Sequence, residues 1–184
     1  MDTLQYHDAH GRRIAFRHLA GEGPTIVFLP GYKSDMAGGK ATAVFESARK
    51  SGRGCLLLDY SGCGLSYGDF AEGTLSRWRD EVLALIEARV EGPVILVGSS
   101  MGGWLMLLVG EALGARLHAL VGIAAAPDFT EWGFDPEQKA QLARGETLLE
   151  DNPYGPEPTP THPGFWSDGP ANRRLDNPIA RSCL

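Results

Sequence analysis

The residues with the sharpest chemical meaning are Gly98-Ser99-Ser100-Met101-Gly102. They fit G-x-S-x-G with Ser100 at the centre, the spacing of a serine nucleophile on a tight strand-to-helix turn. Positions two before and two after the serine must be small where strand and helix cross. An apolar tetrapeptide, Val94 to Val97, precedes the motif, and a long apolar stretch from Met101 to about Leu113 follows it. A helix starting at Met101 would aim its free N–H groups and positive dipole end at Ser100, where negative charge develops in acyl transfer. The plain alternative is a small-residue turn that packs a helix on a strand.

A second segment, Phe28-Leu29-Pro30-Gly31-Tyr32, closes the first parallel-type strand, at the end of such sheets where ligands collect. An oxyanion needs two backbone donors. The N–H of Met101, just after the nucleophile, is one candidate, and the N–H of Tyr32 is the other. Alone, Pro30-Gly31 reads as a strand-ending turn. Two phosphate motifs fail: Gly39-Lys40 is followed by Ala41 rather than Ser or Thr, and Gly62-Cys63-Gly64 finds its third glycine one place late, at Gly68. The turn Asp59 to Ser66 reads as structural, with Asp59 and Ser66 bonding loop amides. Cys63 reads as a small buried thiol.

Elements that would position these groups follow from periodicity. Leu4, Tyr6, Ile14 and Phe16 flank a His10-Gly11 turn, a hairpin signature. Thr25–Leu29, Cys55–Leu58, Val94–Val97 and Leu120–Ile123 are buried-type strands, and Ala41–Ala48 has helical spacing. Thr74 can cap a helix whose apolar face is Leu75, Trp78, Val82, Leu85 and Ile86. A hairpin followed by strand–helix units predicts an α/β fold: three layers, αβα, around a mostly parallel sheet. From Asp128 no strand pattern is visible, and Pro153, Pro156, Pro158, Pro160 and Pro163 mark an irregular stretch. Residues 128–178 therefore read as a cap or excursion of one domain spanning 1–184. Its aromatics Phe129, Trp132 and Phe134 would line an acyl pocket or serve as ordinary packing.

The 184 residues carry a formal charge of −6 with no basic run, which argues against nucleic acid and anionic membrane as partners. The longest apolar run, Trp104–Val109, is too short to span a bilayer. Cys55, Cys63 and Cys183 fit neither a disulfide framework nor a metal spacing, and the first ten residues lack a secretory pattern. A reducing, cytoplasmic setting with no metal and no cofactor is the expectation. The 24 glycines point to many tight turns.

Pro30 to Met36, Asp59-Tyr60-Ser61-Gly62-Cys63-Gly64-Leu65-Ser66, Thr74 to Arg79 and Gly98 to Met106 together resemble the α/β-hydrolase family of mitochondrial palmitoyl-protein thioesterase, also described as mycophenolic acid acyl-glucuronide esterase, and its bacterial relatives. The resemblance covers about 25–126 and resumes at Asn177-Pro178-Ile179 and Cys183. It implies a serine hydrolase that cleaves small acyl esters or thioesters, or an acylated protein, with Ser100 in the nucleophile's place.

That chemistry needs a base and an orienting acid, in chain order after the serine. The family carries the acid in an H-G-x-x-D loop after a further strand and the histidine later still, and neither has a counterpart before Leu184. The last strands of the fold are thus expected to be missing, leaving Leu120–Ala124 as an apolar edge in a truncated chain. Only His118 and His162 follow Ser100. His118 falls at the wrong end of a strand. His162 is a candidate base if the proline-rich stretch folds over Ser100, with Asp128 or Asp151 as orienter; a solvated loop histidine is the plain reading. His7, His10 and His18 belong to the hairpin. The rival function is a non-catalytic remnant that binds acyl ligands or a partner.

Overall fold

A computed structural model describes residues 3–152 and 155–176. Its first two strands, β1 (Gln5–Ala9) and β2 (Arg12–Leu19), pair antiparallel with Ala9 opposite Arg12. The turn residues His10 and Gly11 lie at φ 56° and 78°, the left-handed pair whose twist matches that of the strands it joins. There follow β3 (Glu22–Leu29), α1 (Gly39–Lys50), β4 (Arg53–Leu58), α2 (Leu75–Arg89), β5 (Val94–Ser99), α3 (Met101–Leu113) and β6 (Leu117–Ile123). The sheet order is β1-β2-β4-β3-β5-β6. β3 runs parallel to β4 and β5, and β5 parallel to β6, while β2 joins β4 antiparallel.

Strand alternation divides the core in two. Val27, Leu29, Leu56, Leu58 and Leu96 face Trp78, Val82 and Leu85 of α2 and Trp104 and Leu108 of α3. Phe28, Cys55, Leu57 and Val97 face Ala41, Phe45 and Ala48 of α1. The apolar runs are buried on both sides because helices cover both sides, the condition under which parallel strands lose their polar alternation. This is the three-layer αβα arrangement that the sequence predicts.

Local signals hold as well. Thr74 Oγ1 accepts the Arg77 N–H at 3.1 Å and opens α2. In the Asp59–Ser66 turn, the Asp59 carboxylate accepts the N–H groups of Met36 (2.7 Å) and Leu65 (2.8 Å). Ser66 Oγ accepts the Ala15 N–H and donates to the Asp59 carbonyl, both at 2.7 Å. The turn thereby ties β2 to the loop after β3.

Beyond β6 the chain forms α4 (Phe129–Trp132), α5 (Pro136–Ala143), β7 (Leu148–Glu150), β8 (Thr159–Thr161) and α6 (Pro163–Asp168). This corrects the expectation of a stretch without strands: β7 and β8 pair antiparallel, with Leu149 opposite Pro160. Three-residue strands are too short to show a period, and a proline is tolerated in a ribbon with free edges. Pro163 likewise begins α6, where its missing N–H costs no helical bond. The segment is tied down by Asp168, whose carboxylate accepts the Ser76 N–H and Oγ–H, each at 2.8 Å, and by the Asn172 carbonyl, which accepts the Trp104 indole N–H at 2.8 Å. Among the described residues β6 ends the sheet, and its Val121 is 46% exposed. Asn177, Pro178, Ile179 and Cys183 lie outside the described residues.

Candidate active site

Ser100 sits between the last residue of β5 and the first of α3, at φ 52°, ψ −121°. A non-glycine residue on that side of the map costs roughly 1–3 kcal/mol and persists only where its surroundings fix it. Three hydrogen bonds do so. The Ser100 N–H donates to the Ile123 carbonyl (3.0 Å), and the Ser100 carbonyl accepts from Gly103 (2.8 Å) and Ala126 (3.1 Å).

The glycines are required by contact. A Cβ on Gly98 would lie 2.4 Å from the Gly102 carbonyl oxygen, and one on Gly102 would lie 2.1 Å from that of Leu29. Strand and helix therefore cross with no side chain between them, and Ser100 is left exposed at the sheet's rim with α3 starting directly behind it.

Because β3 neighbours β5 with Leu29 opposite Gly98, the loop leaving β3 runs past Ser100. A Cβ on Gly31 would come within 3.4 Å of Ser100 Cβ. Tyr60 Oη donates to the Pro30 carbonyl at 2.9 Å and holds that loop from below. Among the described residues, the N–H groups of Tyr32 and Met101 donate to no protein acceptor. The Tyr32 hydroxyl donates to the Pro160 carbonyl (2.9 Å), and its ring packs 4.8 Å from Phe165 and 5.1 Å from Phe70. Burial pushes this phenol well above its ordinary range, so it stays a protonated donor.

Ser100 opens on a cavity of about 280 Å³ lined by Tyr32, Phe129, Trp132, Phe134 and Glu150 among others. All three aromatics marked in the sequence line it. Phe134 also packs on Leu142 and Leu148, so the same side chain both lines the cavity and serves as packing. Glu150 escapes a sequence reading because its strand does. In the β7–β8 ribbon it lies opposite Thr159, while Leu148 lies opposite Thr161. Leu148 and Glu150 therefore share one face, and exposed Leu149 takes the other.

The histidines are placed elsewhere. His162 Nδ1 is 3.0 Å from Thr147 Oγ1, its ring stands edge-on to Phe70 at 5.8 Å, and it is not a lining residue of the cavity. Asp128 does not orient it. That buried carboxylate accepts the N–H groups of Arg174 (2.8 and 3.0 Å) and Leu175 (2.8 Å). Asp151 is exposed. His118 stands at the start of β6, the end away from Ser100. Among the described residues no histidine is hydrogen-bonded to a carboxylate, and no group of three His, Cys, Asp or Glu is placed to hold a metal ion.

Residues 26–181 match the alpha/beta hydrolase family. The chain belongs to that family. Over 115 residues, 62% of this chain, it is 47% identical to the mitochondrial palmitoyl-protein thioesterase ABHD10 of Homo sapiens and 48% identical to that of Mus musculus. The matched stretch spans 38% and 39% of the length of those relatives. Among solved structures, the mouse alpha/beta hydrolase domain-containing protein 10 superposes with a TM-score of 0.87 at 34% identity, covering 98% of this chain and 74% of that one. An Agrobacterium vitis S4 structure gives 0.83 at 37%, covering 93% and 73%. The hydrolase fold thus extends through the segment after β6. Among the described residues no helix of this hydrolase is long and apolar enough to cross a membrane.

Proposed function

We propose that this hydrolase cleaves acyl esters or thioesters through Ser100, with an acylated protein among its substrates. The observation that carries the reading is the positive φ of Ser100 on a turn where glycines at 98 and 102 are sterically required. Ser100 Oγ attacks the acyl carbon and forms a C–O bond. The carbonyl oxygen becomes an oxyanion, received by the free N–H groups of Met101 and Tyr32 at the N-terminal end of α3. Collapse breaks the acyl C–O or C–S bond, the proton released from Ser100 Oγ reaches the departing group through solvent so that it leaves as alcohol or thiol, and water then hydrolyses the acyl-enzyme to the acid and free Ser100. Relatives named palmitoyl-protein thioesterase support the substrate class.

A second reading, a remnant that binds acyl ligands or a partner without turnover, is favoured by one observation: no histidine lines the cavity beside Ser100. Hydrolysis of p-nitrophenyl acyl esters and acyl thioesters separates the two. The nucleophile reading expects turnover by the wild-type chain and a loss of about 10³-fold or more in Ser100→Ala. A folded wild-type chain no faster than Ser100→Ala favours the remnant.

A further inference from the structure

The wall of the Ser100 cavity breaks a local rule. β7 turns Leu148 and Glu150 to the same side. Leu148 is buried against Phe134 and Leu142, as an inward residue should be. Two residues on, the position that would extend this apolar cluster carries a carboxylate instead. Glu150 has no ion-pair or hydrogen-bond partner for its side chain among the described residues. Burial raises its affinity for a proton, the sign of a carboxylate short of solvation. Departures of this kind concentrate where a ligand supplies what the fold does not.

The rest of the wall is suited to a cation. Phe129, Trp132 and Phe134 line the same cavity, and Trp132 is 61% exposed, so its ring is open to a ligand. Trp132 is fixed by its indole N–H, which donates to the Pro127 carbonyl at 2.9 Å. Aromatic faces beside a carboxylate are the surroundings in which alkylammonium groups bind, through ring quadrupoles and an ion pair acting together. A long neutral acyl chain gains nothing from Glu150, whereas a substrate that ends in a quaternary ammonium uses both features of the wall.

We propose that the cavity beside Ser100 is a cation site, and that Glu150 with Phe129, Trp132 and Phe134 selects acyl substrates carrying a quaternary ammonium group. As a statement about substrate it rests on the Ser100 reading; as a statement about binding it can be tested without any chemistry at Ser100. Glu150 is a specificity residue in this account and takes no part in bond breaking.

The binding arm compares choline with its neutral isostere 3,3-dimethylbutan-1-ol by NMR titration of the full chain. Choline is expected to bind about tenfold tighter, and the ratio is expected to collapse toward one in Glu150→Gln. Equal binding of the two, binding of neither, or a preference that survives Glu150→Gln overturns the site. The covalent arm compares two fluorophosphonates of equal length, one ending in trimethylammonium and one in tert-butyl. The cationic probe is expected to label Ser100 about tenfold faster. Labelling of Ser100 at equal rates by both sinks the cation site while the nucleophile stands. A choline preference with no labelling by either sinks the nucleophile while the site stands.

Discussion

Ser100 and the two buried thiols show how placement decides which hydroxyl or thiol solvent can reach. Ser100 is lifted into solvent by its backbone, whereas Cys55 and Cys63 are buried in the core and burial pushes both thiols up to about 12. The folded state therefore favours the neutral thiol. Its contribution to stability is complete below the ordinary thiol value of 9.0 and is lost as pH rises through about 12. Iodoacetamide at pH 8 is expected to leave Cys55 and Cys63 unmodified in the native protein and to alkylate both in urea, read by peptide mass spectrometry. Native alkylation of either would contradict the burial. Ser100 is legible in the sequence because its constraints are local: the two glycines and the serine midway between them fall within five positions. Glu150 is not, because its meaning depends on which face of a three-residue strand it occupies, and that is set by pairing with Thr159.

At the scale of elements, the long strands and helices declare themselves. β3 and β5 are apolar runs bounded by glycine or proline on both sides, β4 is one that opens after Gly54, and α2 announces both its cap and its buried face. Replacing Thr74 with alanine removes the oxygen that accepts the Arg77 N–H and is expected to cost about 1 kcal/mol, measured as a lower midpoint in urea with the slope unchanged. An unaltered midpoint would show that α2 is fixed by packing alone. The β7–β8 ribbon, α4, α5 and α6 are the elements a sequence reading misses, α5 despite the Asp135–Gln138 capping box at its start. Prolines that stop a helix or a central strand are harmless at the free edge of β8 and in the first turn of α6, so the crowding of prolines marks positions tolerant of them rather than an absence of structure.

For the whole molecule, the sheet has two unequal borders. β1 closes one side with a short strand that carries His7 and Asp8. β6 closes the other, among the described residues, with Leu117, Leu120, Val121 and Ile123. On the α1 side of the sheet Val97 is buried, yet Val121 beside it on β6 is 46% exposed. An apolar edge of this kind invites pairing with another chain. Val121→Lys is expected to reduce concentration-dependent association in light scattering, because a lysine charge must be desolvated when the edge pairs. No change would show that β6 is not the surface through which copies meet.

The topology that carries Ser100 to the rim was readable from the order of strands and helices. Phe129, Trp132 and Phe134 were legible as candidate lining, but Glu150, Thr159 and Thr161 were not, since β7 and β8 show no period of their own and lie far along the chain from Ser100. That reach is why Ser100 and the candidate donors Met101 and Tyr32 follow from local motifs, while the surroundings of His162 do not. His162, in sequence the base most able to fold over the serine, spends its Nδ1 on Thr147.

The proposed hydrolysis depends on the reactivity of one hydroxyl, so its most direct test is covalent. The folded wild-type chain is incubated with an alkyl fluorophosphonate, digested, and the adduct located by mass spectrometry. A single phosphonylated residue at Ser100, absent in Ser100→Ala, is the predicted result. An unmodified Ser100 peptide from protein shown to be folded would contradict it.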